Sequence, residues 1–135
     1  MSAWVTIVYV PKVVHLMSER SERDPILSVV FYATAAGREP VREWLLGLSR
    51  EDRRAVGFDI KTAQYGWPLG MPLIRKLELG LWEVRSHIDE GIVRVLLTVK
   101  GDTMVLLHGF VKKSEKMPAQ DLKSARRRMA DLYER

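Results

Sequence analysis

The chain has 135 residues, a length that suits one domain with a real core and is too short for two. Its 47% hydrophobic content is that of a globular protein rather than a disordered one, and 22 Lys plus Arg against 17 Asp plus Glu leave a formal charge of +5. With no cysteine, disulfides, thiolate metal sites and cysteine nucleophiles are excluded, and three scattered histidines without HxxxH or HExxH spacing argue against a zinc site, so no metal or cofactor is expected.

In chain order, residues 4–10 (WVTIVYV) have strand character and stop at Pro11, and residues 18–25 (SERSERDP) form a polar, charge-mixed linker. Residues 1–25 are therefore read as an N-terminal extension, an edge strand and linker peripheral to a compact domain over residues 26–135. They are too short in apolar run, and lack the basic flank, for a signal peptide, and no stretch approaches the roughly 20 apolar residues of a membrane span. The cytoplasm is the expected compartment.

Residues 26–33 (ILSVVFYA) are rich in β-branched and aromatic side chains and predict a buried strand. Pro40 then suits a helix's first turn, with Val41, Trp44, Leu45 and Leu48 at i, i+3, i+4 and i+7. Ser49 is a candidate N-cap for a second helix with Val56, Ile60 and Ala63 as its apolar stripe, stopped by Gly66. The two helices are expected to form an antiparallel hairpin. After a proline-rich loop, residues 73–78 predict a short strand or an ordered approach to a hairpin. A last helix is expected from about Pro118 to Tyr133, with Leu122, Ala125, Met129 and Leu132 inward.

Between these lie two further strands and a third, joined by tight turns. Alternation puts Trp82, Val84, Ser86 and Ile88 on one face and Glu83, Arg85 and His87 on the other. If Asp89-Glu90 and Gly101-Asp102 are two-residue loops, Arg85 falls opposite Arg94, with Gly109 beside Arg94 and Lys113 following on that face. His108 shares parity with Met104, Leu106 and Phe110 and is read as a core histidine. The fold class is α+β: an antiparallel sheet of four or five strands, a helical hairpin on one face near the N-terminus, and a C-terminal helix.

The segments LGLWEVR, GIVRVLL and HGFVKKSEKMP, followed by a basic helix, resemble the RelE/HigB-type toxins of bacterial toxin–antitoxin pairs, in particular their phage-derived HigB-like branch. The similarity covers most of the chain and leaves residues 1–25 outside it. It implies a ribonuclease that cuts messenger RNA, usually on the ribosome, held in check by a helix-turn-helix antitoxin. Two other classes share such a sequence: a ParE-like toxin that poisons gyrase, and a catalytically silent module that binds RNA or protein through a basic face.

Metal-independent RNA cleavage uses the 2′-hydroxyl as nucleophile, and fixed cations aimed at the charge developing on the phosphate supply the largest part of the catalysis. Arginine fits because its planar fork donates two parallel bonds and keeps its charge. Arg85 and Arg94 match basic positions of the family's motif and are expected to hold the scissile phosphate, with Lys113 as a third cation and general acid. Lys76 matches a basic residue before the GLWE-like strand and is expected to tune a neighbour's pKa or act as base. His87, on the Arg85 side, is the proton-transfer candidate among the histidines. Lys112, Lys116, Arg126 and Arg127 are expected to contact RNA.

Overall fold

The computed structural model describes residues 25–112 and 116–135. Strand β1 (Ser28–Phe31) leads to helices α1 (Pro40–Leu46) and α2 (Arg50–Gly66). Strands β2 (Ile74–Glu78), β3 (Leu81–Ile88), β4 (Gly91–Lys100) and β5 (Thr103–Lys112) follow, and helix α3 (Ala119–Glu134) closes the chain. The extension assigned to residues 1–25 lies, apart from Pro25, outside the described residues.

The strands form one five-stranded sheet in the order β1-β5-β4-β3-β2. Tight turns make β2 through β5 an antiparallel meander. Gly80 and Gly101 supply the positive φ, 75° and 64°, that two of these turns require. Both expected two-residue loops form, because Ile88 pairs with Gly91 and Lys100 with Thr103. The expectation of an antiparallel sheet is corrected at one edge. There β1 lies parallel to β5, with Ser28 opposite Thr103 and Phe31 opposite Leu106, so the sheet is mixed. A hairpin dictates strand direction; a connection through two helices does not, and a parallel neighbour needs such a crossover.

Ser49 caps α2 by accepting a hydrogen bond from the Asp52 amide at 3.1 Å, and Glu51 and Asp52 add negative charge to its first turn. Pro40 opens α1, where its missing N–H leaves no intrahelical bond unmade. Both helices cover the same sheet face, yet each packs chiefly on strands: α1 on β5 and α2 on β3. The core between them and the sheet holds Leu45, Val56, Ile60, Val84, Val95, Leu97 and Leu106, with Trp44 and Trp82 at its margin.

Helix α3 covers the opposite face through Ala125, Leu122, Met129 and Leu132, against Leu81, Leu96, Val105 and Leu107. The sheet is thus the middle of three layers. A bulge between Leu96 and Leu97 shifts the β4–β5 register. The extra residue is Leu107 of β5, since Leu96 pairs with His108 and Leu97 with Leu106, and it reverses which way the following β5 side chains point. It places Gly109 opposite Val95, beneath the ring of Trp44 on the α1 face, rather than beside Arg94. Phe110 takes the position opposite Arg94.

Candidate functional site

The register sets Arg85 directly across from Arg94, as the two-residue loop requires. Both lie on the α3 side of the sheet with Glu83, which stands two residues before Arg85 on β3. Facing like charges weaken a strand pair unless something neutralises them. Glu83 does so: its carboxylate is fully buried and accepts from Arg94 Nη1 at 2.6 Å, while Arg75 Nε approaches the same oxygen to 3.2 Å. Arg75 reaches it because β2 places it opposite Glu83. Three arginines thus occupy neighbouring positions with one carboxylate among them.

The surplus falls on Arg85. Its side chain is half-buried, and its Nε has no hydrogen-bond partner among the described residues. Arg94 is only 3% exposed and is committed to Glu83, so it does not offer a free fork to a ligand. Glu83 Oε2 and Arg94 Nε also lack partners among the described residues, so this buried network is incompletely bonded.

The remaining expected site residues divide. His87 is exposed near the end of β3, on the Arg85 face. Lys112 shares that face opposite Ile92 and is 4% exposed, not the solvated lysine its run suggested. Lys116 is exposed just before α3. Arg126 forks onto the Glu78 carboxylate, with contacts of 2.7 and 3.0 Å, whereas Arg127 is exposed. Lys113 lies outside the described residues. Lys76 is a correction: it pairs with Trp82 and therefore points to the other sheet face, its Nζ 5.7 Å from the Trp82 ring centroid. The sheet itself separates Lys76 from Arg85.

His108 is a second correction. The bulge takes it out of parity with Met104 and Leu106 and sets it opposite Leu96 on the α3 side. Its Nε2 lies 2.6 Å from Asp121 Oδ1 in the first turn of α3, and its Nδ1 lies 3.1 Å from Arg128 Nη1. Arginine can only donate, so Nδ1 is the acceptor and Nε2 carries the proton toward Asp121. Arg128 also donates to the Leu107 carbonyl at 2.8 Å, and burial pulls its pKa down. An Asp–His pair of this kind is invisible in the sequence, because Asp121 follows a loop and the bulge cannot be read from alternation.

Among the described residues no group of three acidic or histidine side chains is arranged to hold a metal ion, and no helix is long and apolar enough to cross a membrane. Residues 43–130 match the model of a family described as phage derived protein Gp49-like (DUF891), a span that begins within α1, ends within α3 and contains the whole arginine cluster. The chain belongs to this Gp49-like family. No curated protein matches it.

Proposed function

We propose that this protein is the toxin of a toxin–antitoxin pair and a metal-independent endoribonuclease that cuts messenger RNA, on the ribosome, with Arg85 as its principal phosphate-binding group. The observation that carries the reading is Arg85, whose Nε has no hydrogen-bond partner among the described residues, beside a Glu83–Arg94 pair that uses up the neighbouring charge. A half-buried cation without a partner among the described residues is suited to an anion from outside.

In this scheme the 2′-oxygen forms a bond to the adjacent phosphorus and the bond to the 5′-oxygen breaks, giving a 2′,3′-cyclic phosphate and a 5′-hydroxyl. A base takes the 2′-proton and an acid returns one to the leaving oxygen. Arg85 stabilises the charge on the non-bridging oxygens, where a fixed fork acts most strongly in the transition state. His87 is the proton-transfer group nearest in sequence on that face, and exposed Lys116 adds positive charge for the RNA backbone, whereas buried Lys112 does not reach it. A helix-turn-helix antitoxin is the partner that restrains the activity.

The test is brief induction of the wild type and Arg85 variants, with transcripts mapped for new 5′ ends. Arg85→Ala is expected to lose roughly 10²–10³ in cleavage rate with its fold intact. Arg85→Lys is expected to be poor as well, since a point charge cannot reproduce the two-bond contact. Cutting at the wild-type level by folded Arg85→Ala refutes the assignment. A DNA-damage response with intact transcripts puts the protein among gyrase-poisoning toxins instead.

A further inference from the structure

Helix α2 carries a second apolar stripe on the side away from the core. Phe58 is 65% exposed, and Thr62 and Tyr65 follow it at the spacing of one helix face. Leu69, in the loop after the helix, folds back over Gly66. A Cβ on Gly66 would stand only 3.0 Å from Leu69 Cδ1, so the glycine is what lets Leu69 lie this close. Together with Lys61 these residues line a groove of about 380 Å³, and Met71, 59% exposed, extends the apolar surface beside it in the same loop. An apolar groove with exposed aromatic and aliphatic side chains along it is a place where a further apolar segment can pack.

The described chain enters next to this groove. The amides of Ile26 and Leu27 both donate to the Gln64 carbonyl, at 3.0 and 3.2 Å, and Gln64 directly precedes the groove residue Tyr65. Upstream stands WVTIVYV at residues 4–10, the most apolar run outside the domain, tethered by residues 11–25. A random chain of that length spans on the order of 20 Å, which would correspond to an effective concentration of about millimolar at the groove. The run brings Trp4, Ile7 and Tyr9, side chains large enough to fill a cleft of this size, and has no charge to bury.

We infer that the groove formed by Phe58, Tyr65, Gly66 and Leu69 is the intramolecular docking site of residues 4–10. The N-terminal segment is then a working part of the fold, not the appendage that its linker suggests. The groove lies on the α2 side of the sheet and Arg85 on the α3 side, so docking leaves the proposed nuclease face open, and the two readings stand or fall separately.

Hydrogen–deuterium exchange on the full chain tests this. Amides of residues 4–10 are expected to be protected at least 10-fold over free-chain rates, independent of protein concentration. Phe58→Asp is expected to abolish that protection while the amides of β3 to β5 keep theirs. Trp4→Ser, read in the same way, gives a second test should Phe58→Asp disturb the sheet, and it is expected to expose residues 4–10 as well. Free-chain exchange of residues 4–10 in the wild type overturns the inference. So does protection that survives both substitutions, which puts the segment elsewhere, or protection that grows with protein concentration, which makes a second copy the occupant.

Discussion

Glu83 has no solvent exposure, and its environment decides what the arginines around it can do. A glutamate two residues from an arginine on an alternating strand reads as solvated; here Arg94 from β4 and Arg75 from β2 close on its buried carboxylate. Removing it leaves Arg94 as an uncompensated buried charge, which typically costs about 3–5 kcal/mol. Glu83→Ala is therefore expected to lose that much in urea denaturation, and Glu83→Leu combined with Arg94→Met to recover most of it. A Glu83→Ala variant as stable as the wild type would show that Arg94 finds water or another acid. The Arg85–Arg94 juxtaposition, by contrast, was legible in the sequence, since a two-residue loop at Asp89-Glu90 leaves a single register. What could not be read was which arginine is spent. That depends on a contact between β4 and β3 whose strength comes from burial.

At the scale of the elements, the helices and strands follow from periodicity and caps, and the departures from expectation have one local cause and one topological cause. The local cause is the bulge between Leu96 and Leu97. Alternation has no sign for an inserted residue, so Gly109 and His108 exchange faces relative to an unbroken ladder. Gly109 then serves α1: the six-membered ring of Trp44 occupies the space a Cβ would take. Gly109→Ala must push Trp44 off β5 and is expected to cost about 1–3 kcal/mol, an overpacking penalty readable as a lowered Tm with α1 loosened. Little change in Tm would mean that Trp44 has another rotamer available. The topological cause is the pair of helices between β1 and β2, which freed β1 to run parallel.

For the molecule as a whole, one sheet separates two cores, and the face each side chain takes determines its role. Val84 is fully buried in the core under α2. Val84→Asp places a charge there without a partner and is expected to unfold the domain, seen as loss of the cooperative melt. A folded, active Val84→Asp variant would invert the assignment of faces. The layered arrangement was legible because three amphipathic helices and alternating strands leave few other ways to bury their stripes. The division of the cations between faces followed less directly, for Lys76 and Arg85 sit on neighbouring strands and differ only in parity.

The parallel pairing of β1 with β5 also bears on how the protein comes into being. The meander from β2 to β5 can assemble from contacts between neighbours in the chain, each hairpin closing a short loop. Strand β1 leaves the ribosome before the other strands but has no partner until Thr103 to Leu106 have emerged, so its pairing closes the longest loop of any strand pair in the sheet. Until then, the apolar side chains of residues 26–31 wait unpaired on a nascent chain. The sheet is therefore completed only once β5 has emerged, after every strand between it and β1 has been made.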